Sequence, residues 1–435
     1  MISTDFAANE SWDDAWLSLK LLFQPWKWRE GVETDIVKKE IQKLIGPIYQ
    51  LANGRENLVH LFLSGRSALY FLLKSLNLPK NSAVLIQAFT CEAVVLPILA
   101  NKLKPVYVDI ETDTFSMDYR QLINRLTDNS RVLILQHTFG LTPKSRKEIL
   151  NLAQNRNLIV IEDLAHGFSK QLTINNQQSY FLLSFGRSKM LSSVFGGAII
   201  STDNRLTKKL NNQVNYLSFP SYWFIFRCLL YKPLVMLIKS TYDIFYLGKI
   251  LHKIIKKLDL LIPEITQKEK NGRYEELFNK TYPNALSILL LHQLNKFDQI
   301  QINRAKVCAY YSRVILNVVK DLVPTKSGRN YASLDSSPRF APFRMTDAGL
   351  IRFPLLVNNR DEIIKKARDQ NIFFGTWYDQ VVAPKGLNLD RVGYKSGSCP
   401  QAEEIAGKII NLPTNITEKE AEKVVKIFFL NLSKD

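Results

Sequence analysis

Four short stretches of the chain hold side chains whose types and positions could do chemistry. In Leu63-Ser64-Gly65-Arg66-Ser67-Ala68-Leu69 a small, hydroxyl-bearing turn runs straight into an apolar helix. Exposed amides, a flexible Gly65 and the positive end of the helix dipole would seat a phosphate, with Arg66 adding a guanidinium. The same residues also make an ordinary capped helix, with Ser64 or Ser67 as the cap. In Ile159-Val160-Ile161-Glu162-Asp163-Leu164-Ala165-His166 a buried strand runs into two carboxylates and a histidine. A buried Asp163 needs a cationic or hydrogen-bonding partner, which a protonated pyridine nitrogen would supply. Ser184-Phe185-Gly186-Arg187-Ser188-Lys189 also ends an apolar strand, and a lysine emerging there has a route to the neutral amine that Schiff-base chemistry needs. Phe89-Thr90-Cys91 follows a further strand and reads, by itself, as the start of a loop.

These stretches fall at strand ends, so the elements that hold them matter. Between 59 and 202 short β-rich runs at 84–87, 105–108, 132–136, 158–161, 180–185 and 197–201 alternate with helical stretches. Near-continuous apolar strands separated by helices call for a mostly parallel sheet covered on both faces, because each crossover must return over a face. Ligands gather beyond the carboxyl ends of such strands. Residues 1–58 read as an N-terminal segment with a helix over 32–45, and 59–216 as the large α/β domain. Residues 264–325 form a long helical connection with helical periodicity over 284–316, and 326–435 a smaller C-terminal α+β domain. A polar loop is expected at 327–343. Thr417-Glu418-Lys419-Glu420 has the form of a capping box opening a terminal helix.

Taken together, a phosphate seat, a strand-end acid and then Ser184 and Lys189 stand in the order of a pyridoxal phosphate site on a fold type I scaffold. The chain resembles the DegT/StrS-type family of sugar aminotransferases through SGRSAL, KPVYVDI, IEDLAH, SFGRSK with GGAIIS, and the closing FPLLV, WYDQ, CPQAEEIAGKIINLP and TEKEAEKVV elements. The resemblance implies that Lys189 carries the cofactor and later moves the proton. Asp163 keeps the pyridine nitrogen protonated. The amides of Arg66 and Ser67 and the hydroxyl of Ser184 hold the phosphate. His166 stands where the family has a glutamine reaching the ring oxygen, and Asn279 matches an asparagine that reaches the neighbouring subunit's phosphate, implying a homodimer. The sequence departs from the family at Cys91, where an aromatic ring is common, and at Thr281, where a substrate-facing arginine is common. Relatives lacking the lysine dehydrate deoxysugars; its retention implies transamination. The function implied is amino transfer, with glutamate as donor, to a keto-sugar nucleotide in glycan or cell-envelope biosynthesis. The alternatives are a pyridoxal phosphate enzyme acting on a non-nucleotide carbonyl compound, or an inert cofactor-binding protein that docks on a membrane or partner.

Composition narrows the setting. The 435 residues are 46% hydrophobic, which excludes disorder, and carry a net charge of +18, which favours anionic partners. No repeat, zinc finger or basic helix with interleaved aromatics points to nucleic acid. Cys91, Cys228, Cys308 and Cys399 lack paired metal-site spacing and read as reduced thiols, so no metal is implied. The start has acidic and aromatic residues in place of a secretory pattern, so a cytoplasmic protein is expected. The unmatched run 217–263 is apolar and basic, interrupted by Arg227, Lys232 and Pro233 before it could span a bilayer. It reads as a helical insertion packed on its own protein or a second subunit, or as an interfacial segment at the inner face of the membrane. In the interfacial reading Leu251, Ile254, Ile255 and Leu258 form a stripe edged by Lys249, Lys253, Lys256 and Lys257.

Overall fold

Seven strands make the main sheet in the computed structural model, which describes residues 1–44, 58–167, 179–201, 203–322 and 349–429. They are β1 (Val59–Phe62), β2 (Ala83–Gln87), β3 (Lys104–Val108), β4 (Ser130–Gln136), β5 (Ile159–Asp163), β6 (Ser179–Ser184) and β7 (Gly197–Ser201). Their order is β1-β7-β6-β5-β4-β2-β3, with β7 antiparallel to both neighbours and the remaining pairs parallel. Alternation divides each strand between two cores: Val84, Ile86, Val132, Ile134 and Ile161 face one, Leu85, Leu133, Leu135 and Val160 the other. All six expected strands are present within a residue or two of their ends. β1 is the strand that periodicity did not suggest, being four residues long with His60 inside it.

In the C-terminal region Arg352–Leu356 pairs antiparallel with Ile409–Pro413, and the helices Arg360–Asp369 and Glu418–Phe429 accompany them. The capping box forms as expected: Glu420 accepts from the Thr417 amide at 2.9 Å, and the Glu420 amide donates to Thr417 Oγ1 at 3.3 Å. Two short parallel ladders tie this region to the rest of the chain, Ile2–Ser3 with Ile372–Phe373 and Thr90–Cys91 with Val382–Ala383. The helical run from 284 divides at Lys296 into Asn284–Asn295 and Phe297–Leu322. The loop expected at 327–343 lies outside the described residues.

The first helix of the 217–263 run contributes to the core. In the helix Tyr222–Thr241 the side chains of Ile225, Cys228, Leu229 and Val235 are buried, and the helix lies on Trp12–Leu22. The Lys232 ammonium is buried 3.4 Å from Glu10 and 4.0 Å from Asp14, and Ser18 donates to the Leu229 carbonyl at 2.7 Å. The insertion therefore packs on its own protein. The helix Leu247–Lys257 keeps an apolar face outside, and its stripe differs from the expected one: Ile255 is buried and Leu251 half-buried, and Leu247 and Ile250 are exposed in their place. No helix among the described residues is long and apolar enough to cross a membrane.

Candidate active site

Asp163 and Ser184 close adjacent parallel strands, with Asp163 in register with Leu182, two residues before Ser184. The chain then turns through Gly186, whose carbonyl accepts from the Lys189 amide at 3.1 Å, so Lys189 stands just beyond the strand ends. Arg66, Cys91, Asp163, His166, Ser184 and Lys189 line one cavity of about 320 Å³. Six of the eight expected site residues therefore meet. Gly65 lets the helix start approach Ser184 closely, since a Cβ at that position would lie 3.1 Å from Ser184 Cβ.

Among the described residues neither Lys189 nor Asp163 has a side-chain hydrogen-bond partner. Burial pulls the Lys189 ammonium below the ordinary lysine range, against the Cys91 and Asp163 side chains, which favour the charge. Its Nζ lies 4.9 Å from the centre of the Trp377 ring. Burial pushes the Asp163 carboxyl up, although the Ala165 amide donates to it at 2.9 Å. The neutral amine is the nucleophilic form of lysine. A buried carboxyl with one amide donor has capacity to accept from a cation at the other end of a ligand.

Three expected contacts are corrected. The Ser67 amide donates to Ser64 Oγ at 3.1 Å, so Ser67 serves the helix cap and does not line the cavity. The Arg66 guanidinium turns away to pair with the buried Glu269 and donates to the Glu264 carbonyl at 2.6 Å. Arg66 still lines the cavity, and its amide is one of the first-turn groups that no intrahelical carbonyl can reach. His166 has both ring nitrogens engaged: Nδ1 accepts from the Phe139 amide at 3.1 Å, so Nε2 carries the hydrogen and donates to the Tyr378 oxygen at 2.8 Å. Burial holds this imidazole well below its usual range, hence neutral. Its hydrogen bonds position Tyr378 instead of reaching out to a ring oxygen. Asn279 is outside the cavity, its Oδ1 accepting from Tyr274 at 2.6 Å. Thr281 is also outside, in an isolated bridge to Phe62.

Several lining residues escaped the sequence reading. Glu92 follows Cys91 at the start of the helix Glu92–Ala100, and burial pushes its carboxyl up to about 7. Its adjacency to a strand-end loop was the available signal. Asp5, Glu264, Trp377 and Tyr378 come from distant parts of the chain and close the cavity. Arg352, fully buried, stacks on Trp377 and pairs with Asp5. Cys91 sits in the ladder to Val382–Ala383, its thiol pushed by burial to about 12 and so uncharged.

These residues fit pyridoxal phosphate: an amine, a carboxyl without a side-chain partner among the described residues, a serine hydroxyl and first-turn amides converge on one cavity. With cysteine at position 91, the aromatic side chains lining the cavity are Phe195, Trp377 and Tyr378.

The sequence profile of the DegT/DnrJ/EryC1/StrS aminotransferase family matches residues 55–218 and 265–429, omitting most of the insertion. A "Pleiotropic regulatory protein" of Geobacillus stearothermophilus is 24% identical over 373 residues, covering 83% of this chain and 82% of that protein. The Escherichia coli "dTDP-4-amino-4,6-dideoxy-D-glucose transaminase" is 32% identical over 165 residues, covering 36% of this chain and 43% of that protein. Among solved structures, NtdA from Bacillus subtilis, with bound cofactor PMP, superposes with a TM-score of 0.68 at 17% identity, covering 97% of this chain and 82% of NtdA. That likeness establishes a shared fold.

Proposed function

This chain belongs to the DegT/DnrJ/EryC1/StrS aminotransferase family, and we propose that it transfers an amino group from glutamate to a keto-sugar carried on a nucleoside diphosphate. The observation that carries this reading is the meeting of Lys189 and Asp163 in one cavity, neither with a side-chain hydrogen-bond partner among the described residues. The E. coli relative, a transaminase of a dTDP-linked amino sugar, supports the substrate class, and the net charge of +18 suits a diphosphate.

When bound, pyridoxal phosphate supplies an electron sink for the pair released as the donor loses its α-proton. Lys189 is the group that takes and returns that proton at Nζ, and its burial favours the neutral amine that this role needs. Asp163 would hold the proton on the pyridine nitrogen. Ser184 Oγ and the Arg66 amide bind the phosphate at a helix start. His166 fixes the Tyr378 hydroxyl, leaving its hydrogen to donate into the cavity, while Trp377 and Tyr378 exclude water. Asn279, outside its own cavity and with only the Oδ1 of its side chain engaged, by Tyr274, among the described residues, serves a second subunit's cavity in this scheme, and the working form is a homodimer. Its setting is glycan assembly on the cytoplasmic side of a membrane.

Borohydride reduction of the protein loaded with pyridoxal phosphate, followed by peptide mapping, tests the assignment. The cofactor should be fixed on Lys189 and lost in Lys189→Ala; fixation on another lysine overturns it. Glutamate should convert the visible absorbance of the loaded protein to that of the amine form, which an inert binder would not do. Light scattering should report a dimer.

A further inference from the structure

The segment 244–258 presents an uncovered apolar stripe beside an uncompensated row of cations. Leu247, Ile250, Ile254 and Leu258 are 54%, 53%, 49% and 61% exposed. At about 100° per residue they fall on one stripe of the helix Leu247–Lys257. Just before the helix, Phe245 and Tyr246 turn through the left-handed region and project into solvent. The side that packs on the protein is a different one, marked by Gly248 and Ile255. A Cβ at Gly248 would lie 2.5 Å from the Ile238 carbonyl oxygen, so this helix is held tightly against Tyr222–Thr241 with its stripe turned outward.

The third side of the helix carries Lys249, Lys253, Lys256 and Lys257. Residues 244–258 include no acid, and the carboxylates that flank them are already engaged. Asp243 pairs with the Met1 amino group and accepts from Asn371, each at 2.7 Å, and Asp259 pairs with Arg227 at 3.0 Å. None of the four lysines is ion-paired among the described residues; Lys249 lies over the Tyr242 and Tyr246 rings. A second copy of the chain bound through this face would set lysines against lysines, because a two-fold interface meets itself.

We propose that this face docks on an anionic lipid bilayer, with the stripe and Phe245 at the boundary between headgroups and acyl chains and the ammonium groups among the lipid phosphates. The occupant follows from charge complementarity and is independent of the amino-transfer reading. Docking there would also place the cavity near the lipid surface. Glu264 and Ile265 in the cavity wall follow shortly after the helix, and His252 contacts Phe6 at 5.7 Å, next to the cavity residue Asp5.

Sedimentation of the full chain with phosphatidylcholine vesicles, with and without phosphatidylglycerol, tests this. Binding should require phosphatidylglycerol and weaken with salt. Combined Lys253→Gln, Lys256→Gln and Lys257→Gln should lower affinity by about 100-fold, at roughly fivefold per lysine. Ile250→Ser with Ile254→Ser should lower it by about tenfold. Both variants alter exposed side chains, so their melting temperatures should match the parent's. No binding to either vesicle, equal binding to both, or unchanged binding by both variants would overturn the proposal. So would a dimer that the variants dissociate without change in lipid binding, since the face would then belong to a second copy.

Discussion

Glu162 and Asp163 are consecutive residues of one strand and look into opposite sides of the main sheet. On its side the Glu162 charge is answered: His137 Nε2 lies 2.8 Å from its carboxylate, and Arg146 grips it with two bonds of 2.7 Å. Burial alone would raise this carboxyl, but those contacts hold it at about 2. On the Asp163 side burial wins, and Lys189 shares the same want of a partner. The insertion follows the Glu162 pattern, with Lys232 set between Glu10 and Asp14. Buried charges with protein partners mark architecture here; those without mark the place of a ligand.

The hardest test of that division is Lys189→Ala, expected to lower amino transfer by about 10⁴-fold while leaving the melting temperature of the cofactor-free protein unchanged or higher. A large loss of stability would make Lys189 architectural. Lys232→Met should do the reverse, costing about 3 kcal/mol in urea unfolding because Glu10 is left buried without its cation, while Asp14 keeps Lys296 at 2.9 Å. The folded fraction should still bind cofactor normally.

A third comparison sets the neighbours against each other. The Glu162 pKa is depressed from its ordinary 4.5 to about 2, so its stabilisation is complete above 4.5 and disappears as pH falls through that interval, about 3 kcal/mol in all. Glu162→Gln should remove this dependence and destabilise the protein at neutral pH. Asp163 has the opposite sign: its raised pKa costs stability once pH exceeds its ordinary 3.8, so Asp163→Asn should stabilise the cofactor-free protein at neutral pH. Matching responses in thermal melts would erase the distinction. The smallest effect concerns Glu92, which gains a charge as pH rises through about 7. Phosphate binding should weaken by roughly fivefold across that rise in the parent and stay level in Glu92→Gln, as fluorescence titration would show.

Much of this arrangement was legible beforehand where signals are local. Strand ends, the Thr417 box and the positions of Asp163, Ser184 and Lys189 follow from periodicity and short motifs. What escaped depends on side-chain geometry or on contacts between distant segments. Arg66 looked like a phosphate ligand because nothing near it in sequence announces Glu269. His166 looked like a cofactor contact because Phe139 and Tyr378, which occupy its nitrogens, lie 27 and 212 residues away. Ile255 was placed on the lipid-facing stripe because helical spacing groups apolar residues without saying which of two exposed sides the neighbouring helix will cover.

The Thr90–Cys91 ladder joins the cavity floor to the C-terminal region through a backbone bond from the Thr90 amide to the Val381 carbonyl at 3.0 Å. Any swing of that region must either stretch this link or drag Cys91 and Glu92 along with it. The Thr90 amide is thus a built-in reporter: its deuterium uptake would register each parting of the two lobes, at a position where no probe need be attached.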